Sequence, residues 1–180
     1  MKILFQGDSV TDCSRKYDDP EDLGLGYVKY TAEALKEKFP DMTFVNRGIS
    51  GNRTKDVLAR AQKDIVEIDP DIITILIGVN DTWRRFDMND PTTAEEFRDN
   101  YEKILKIVKE KTHAKIDETR KLAAIYADKF IALDGLLAQE YIGAGTREPA
   151  EISADGVHPA EEGKKIIASY LAAAIAELAK

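Results

Sequence analysis

The 180-residue chain is short of several residue types that would by themselves mark a function class. Its one cysteine, Cys13, leaves no partner for an internal disulfide and no set for a multi-cysteine zinc site, so no metal is expected. No apolar run approaches the ~20 residues that cross a bilayer, so a membrane is not an expected partner. Basic residues are outnumbered: 26 Lys and Arg stand against 33 Asp and Glu, a net charge of −7. A general nucleic-acid binder needs clustered Lys and Arg to displace counterions, and this balance argues against one. Histidine is scarcer still, with only His113 and His158. The first residues carry no export signal, since Ile3-Leu4-Phe5 is interrupted at Gln6-Gly7, whereas a signal peptide needs about 7–15 apolar residues. The expected location is the cytoplasm.

What is present suits a globular α/β domain. Hydrophobic residues make up 43 % and charged residues 33 %. A chain of this length removes roughly 70 % of its unfolded surface from water on folding, which supports a core without covalent staples. No linker or internal repeat divides it, so residues 1–180 are expected to form a single domain. Strands are expected at Ile3–Gln6, Thr43–Asn46 and Asp71–Ile77, the last apolar on both faces as a central parallel strand must be when helices cover both sides. Between them, helical spacing is expected over Tyr27–Phe39 and from Thr54, read as a helix cap, to Ile68. Thr93 and Glu96 form a capping box for a helix reaching Lys111, and a further helix is expected over Asp117–Asp128. Lys129–Leu133 reads as the last strand, and Pro159 as the first turn of a helix ending near Leu178. Strand–helix alternation of this kind predicts an open parallel sheet covered on both faces.

In such sheets ligands bind beyond the carboxyl ends of the strands. Ser9 follows the first strand, Gly51 lies after the second, Asn80 after the third, and Asp155 and His158 sit just before the last helix. A serine hydrolase needs a nucleophile, a base, an acid that orients the base, and donors for the oxyanion. Ser9, His158 and Asp155 can fill the first three roles, and the N–H groups of Ser9 and Gly51 with the Asn80 amide the fourth. Each also has a plainer reading: Ser9 and His158 as helix-start residues, Asn80 as a turn residue, Gly51 as backbone geometry alone.

Gly7-Asp8-Ser9-Val10 resembles the GDSL motif of the SGNH hydrolases. Gly51 in Asn46-Arg47-Gly48-Ile49-Ser50-Gly51-Asn52 is similar to their second block, Gly78-Val79-Asn80-Asp81 to the third, and Asp155-Gly156-Val157-His158-Pro159 to the fifth. Any one block is weak; four in order across the chain are not. The local wording looks most like the carbohydrate acetylesterase branch, including acetylxylan esterases. The resemblance implies a flavodoxin-like, three-layer αβα sandwich, no cofactor, and hydrolysis of short acyl, chiefly acetyl, esters of carbohydrate. It places the nucleophile on Ser9, the base on His158, its acid on Asp155 and the oxyanion donors on Ser9, Gly51 and Asn80. A homo-oligomer is common in the branch. Trp83 either stacks on a sugar face or plugs the core, and Tyr27 and Arg53 are weaker candidates for the pocket wall. Asp8 and Asp81 read as structural hydrogen-bond partners.

One stretch departs from the family pattern. Relatives carry an apolar fourth strand and a loop after the helix that here ends near Lys111, whereas Thr112-His113-Ala114-Lys115 runs straight into Ile116-Asp117. Roughly 20 to 30 residues look absent, the size of one strand and a long loop. The expected consequence is four strands in place of five, with the Phe130–Leu133 strand moved beside the Ile72–Ile77 strand. Such a move would displace the Asp155–His158 loop, so a catalytically impaired scaffold serving as a non-catalytic binding domain is the alternative to an active esterase.

Overall fold

The computed structural model describes residues 1–112, 115–117, 125, 127–129, 131–133, 136, 137, 139, 149–153 and 155–179. Its sheet is parallel throughout, with order β2-β1-β3-β4, from β1 (Lys2–Gly7), β2 (Thr43–Gly48), β3 (Ile72–Leu76) and β4 (Lys115–Asp117). Parallel neighbours need crossover connections, and helices supply them. These are α1 (Ser9–Asp12) and α2 (Tyr27–Lys36) after β1, and α3 (Thr54–Ala59) with a π-helical turn (Gln62–Val66) after β2. After β3 come α4 (Val79–Asp87) and α5 (Ala94–Lys111), and later α6 (Pro149–Ile152) and α7 (Glu161–Leu178).

The period-2 alternation of the strands sorts the core into two layers. Ile3 and Phe5 of β1 point to one face, where Tyr27, Val28, Ala32 and Leu35 of α2 meet Ile167, Ala168, Leu171 and Ile175 of α7. Leu4 points to the other, where Ile73 and Ile75 of β3 meet Val57, Ala61, Ile65 and, from α5, Tyr101, Ile104, Leu105 and Val108. This is the three-layer α/β sandwich expected from the sequence. The Thr93–Glu96 capping box also forms, with Thr93 Oγ1 accepting from the Glu96 N–H at 3.1 Å and the Thr93 N–H donating to Glu96 Oε2 at 2.9 Å.

Three expectations are corrected. The strand beside β3 is Lys115–Asp117, paired with Ile72–Thr74, and not Phe130–Leu133. A three-residue strand is too short to carry the long apolar run by which a central strand is recognised. Lys129 makes an isolated bridge, Phe130 lies outside the described residues, Ile131 and Ala132 are irregular and Leu133 is helical. Of the expected Asp117–Asp128 helix, Asp117 belongs to β4 and residues 118–124 lie outside the described residues. Second, Arg53 and not Thr54 occupies the cap of α3, because Thr54 already has helical geometry and its hydroxyl is bonded to Asp81. Third, Pro159 precedes the α7 cap, Ala160, and lies outside the first turn. No described helix is long and apolar enough to cross a membrane.

Candidate active site

Ser9, Gly51 and Asn80 all lie just past the carboxyl ends of strands. Ser9 opens α1 immediately after β1, and the Asp8 side chain caps that helix by accepting from the Val10 N–H at 3.1 Å. Ser9 Oγ lies 2.9 Å from His158 Nε2, joining residues 149 apart in sequence. On the far side of the imidazole, His158 Nδ1 lies 2.7 Å from Asp155 Oδ2. An ionised carboxylate can only accept, so the Nδ1 proton points to Asp155 and Nε2 is left to accept from the Ser9 hydroxyl.

Asp155 does two jobs in its loop. Its Oδ1 accepts from the backbone N–H groups of His158 (2.7 Å) and Val157 (2.9 Å) while Oδ2 faces the ring. These bonds, the ring contact foremost, hold its carboxyl well below the usual carboxylate range. Ser153 Oγ donates to the His158 carbonyl at 2.9 Å, and the Ala160 N–H closes the loop on the Ile152 carbonyl at 2.7 Å. Both side chains are half exposed, 53 % for His158 and 50 % for Asp155.

The loop carrying Gly51 is fixed from beneath by a buried carboxylate. Asp12 Oδ2 accepts from the Ser50 N–H (3.0 Å), the Ser50 hydroxyl (2.6 Å) and the Tyr17 hydroxyl (2.6 Å). Arg15 Nε donates to the Gly48 carbonyl at 2.9 Å, and buried Asn46 ties the Gly48 N–H to the carbonyls of Thr11 and Leu23. Gly51 itself has φ +81°, a left-handed conformation that glycine adopts without strain. Asn80 stands in the first turn of α4, and its amide donates to the Asn52 carbonyl at 3.0 Å, leaving its second N–H free to serve another acceptor. Next to it, buried Asp81 receives the Thr54 N–H (3.0 Å) and hydroxyl (2.7 Å), joining α4 to α3. Asp8 is also buried, and that burial pushes its carboxyl up to about 6 against the pull of the Val10 N–H and of His158.

These groups surround an open cavity of about 330 Å³ lined by Ser9, Ser50, Gly51, Asn80, Trp83, Arg84, Val157 and His158. The structure thus brings together Ser9, Asp155, His158, Gly51, Asn80 and Trp83. Trp83 is 40 % exposed at the cavity wall, which decides against its reading as a core plug. Two sequence candidates fall elsewhere. Tyr27 is 1 % exposed in the core, its hydroxyl 2.9 Å from Thr11 Oγ1, because α2 turns that face onto the sheet. Arg53 is buried, with Nη2 on Asp90 Oδ2 at 2.6 Å and Nη1 on the Asp90 carbonyl, and it does not line the cavity. Sequence reasoning missed Asp12 and Ser153, whose roles come from loop folding and carry no spacing signal. Among the described residues no group of His, Cys, Asp and Glu side chains could hold a metal ion.

The geometry can be set beside known proteins. An acetylxylan esterase of Geobacillus stearothermophilus is 40 % identical over 111 residues, which cover 58 % of this chain and 51 % of that protein. An arylesterase of Vibrio mimicus is 26 % identical over 95 % of this chain and 86 % of its own. The crystal structure of the Geobacillus acetylxylan esterase superposes with a TM-score of 0.82 at 27 % identity, covering 93 % of this chain and 90 % of that one. The chain is shorter than these relatives. The GDSL-like lipase/acylhydrolase family model matches residues 5–166, nearly the whole span from β1 into α7, and this chain belongs to that family.

Proposed function

We propose that the protein is a carboxylic-ester hydrolase that removes short acyl groups, acetyl foremost, from carbohydrate through an acyl-enzyme on Ser9. The observation that carries this reading is the unbroken contact from Ser9 Oγ through His158 to Asp155, at 2.9 and 2.7 Å, opening on a cavity that also holds Gly51 and Asn80. His158 Nε2 takes the hydroxyl proton as Ser9 Oγ attacks the acyl carbon, and Asp155 stabilises the imidazolium that forms. Charge developing on the carbonyl oxygen is met by the N–H groups of Ser9 and Gly51 and by the Asn80 amide. One such donor is typically worth about 10²–10³ in rate. The tetrahedral intermediate collapses, the C–O bond to the sugar oxygen breaks, and that oxygen takes the proton from His158. Water then attacks the acyl-Ser9 ester with His158 again as base, releasing the acid and restoring the hydroxyl.

Carbohydrate as the alcohol part is supported by the name of the acetylxylan esterase relatives and by Trp83 on the cavity wall. The alternative of a non-catalytic domain requires displacement of the Asp155–His158 loop by a moved strand. The strand beside β3 is Lys115–Asp117, and the Ser9–His158 contact is made, so both observations favour the enzyme reading. Hydrolysis of p-nitrophenyl acetate by the wild type and by Ser9→Ala tests it. The expected result is a loss of at least about 10³ in kcat for the variant, and equal turnover would refute the assignment.

A further inference from the structure

We infer that Arg84 is the residue that selects a neutral polyhydroxylated alcohol, such as a sugar ring, over other acetyl esters, by donating from its guanidinium Nη2 to hydroxyl oxygens of the bound substrate. This rests on the esterase reading above and extends it to the alcohol side of the ester.

Among the described residues, Arg84 is the one Lys, Arg, Asp or Glu side chain lining the cavity. Its guanidinium is anchored through Nη1, which is bonded to Asp87, one helical turn on in α4. Nη2 lies on the other side, over Gly51, and a Cβ at that position would stand 3.4 Å from it. Gly51 thus leaves open the space between the Gly51 loop and the guanidinium. Among the described residues Nη2 has no hydrogen-bond partner. A guanidinium carries five donors in a fixed fork, so a half-used one facing a cavity asks for acceptors.

Charge decides which acceptors. An unpaired arginine would favour a carboxylate or phosphate. Here Asp87 already neutralises the guanidinium, and the chain carries a net charge of −7, which repels an anionic substrate. What remains is donor capacity without net charge, and hydroxyl oxygens match it. Trp83, the preceding residue of α4, lines the same cavity and offers an apolar ring face beside those donors. An aromatic face next to a polar fork fits a ring with one apolar side and hydroxyls at its rim.

The test compares kcat/KM for an acetylated methyl β-xylopyranoside, for the corresponding acetylated methyl glucuronate, and for p-nitrophenyl acetate, in the wild type and in Arg84→Met. The expected result is that Arg84→Met lowers the ratio of the neutral sugar ester to the aryl ester about tenfold or more, mainly through KM, since hydrogen bonds to a charged donor are lost. Arg84→Lys keeps the charge without the fork and should recover only part of that ratio. An unchanged ratio in Arg84→Met would overturn the inference while leaving the esterase reading intact. A larger loss on the glucuronate than on the neutral sugar would overturn it in favour of anion recognition. A wild type that hydrolyses the aryl ester but neither sugar ester would overturn it too, and no turnover of any of the three would overturn the esterase reading together with it.

Discussion

Asp8 and Asp155 both bear on His158, and the fold drives the two carboxyls in opposite directions. Asp155 is exposed, touches the imidazole and accepts two backbone N–H groups, so it stays ionised throughout the range in which imidazoles titrate. Asp8 is buried, and desolvation outweighs the Val10 N–H and lifts it to about 6. A carboxyl raised above its unfolded value of 3.8 adds stability that is fully present below that value and is lost as pH rises through about 6. Asp8→Asn keeps a cap acceptor but cannot ionise. It should therefore raise stability by about 1–3 kcal/mol at pH 8 and leave it unchanged at pH 4, read from urea unfolding at both. An equal offset at the two pH values would mean that Asp8 does not titrate as described. Asp8 and Asp81 are legible in the sequence as structural partners, whereas Asp12 is not, because the three donors to its Oδ2 come from loops that only the folded chain brings over it.

At the scale of elements, the placing of His158 and Asp155, the proposed base and acid, depends on how α6 and α7 meet. A Cβ on Gly163, in the first turn of α7, would stand 2.3 Å from the Ile152 carbonyl oxygen, the same oxygen that accepts the Ala160 N–H. Gly163→Ala must push the two helices apart at the foot of the Asp155–His158 loop. Overpacking of this kind costs about 1–3 kcal/mol, and a shift of ~1 Å at the reacting groups costs about 10²-fold in rate. Thr93→Ala removes the cap of α5, outside the residues that line the cavity, at a similar cost of about 1 kcal/mol. Thermal unfolding and p-nitrophenyl acetate turnover on both variants separate the effects: both should lose stability, and only Gly163→Ala should lose kcat. Equal kcat in the two would mean that the loop is positioned by something other than the Gly163 contact. The α5 cap is readable because Thr93 and Glu96 stand at the spacing the motif requires. β4 is not, since Lys115–Asp117 is a three-residue segment with no alternation long enough to register.

In the whole molecule, no element contains the site. Ser9 comes from the end of β1, Gly51 from the loop after β2, Asn80 from the start of α4, and Asp155 and His158 from the loop before α7. Their order and motif spacing are legible in the sequence because each block follows a strand or precedes a helix. Their convergence depends on the sheet order β2-β1-β3-β4, which sets the ends of β2 and β3 on either side of β1. The same packing buries Tyr27 and Arg53, which spacing alone cannot distinguish from wall residues. The central claim is that this assembled fold activates Ser9 through His158, and covalent labelling by a fluorophosphonate, located by peptide mass spectrometry, tests it most directly. The account predicts one adduct per chain on Ser9, none in Ser9→Ala or in urea-unfolded protein, and labelling slowed by at least about 10²-fold in His158→Ala. An adduct on another residue, or labelling of Ser9 at the same rate in His158→Ala, would contradict it.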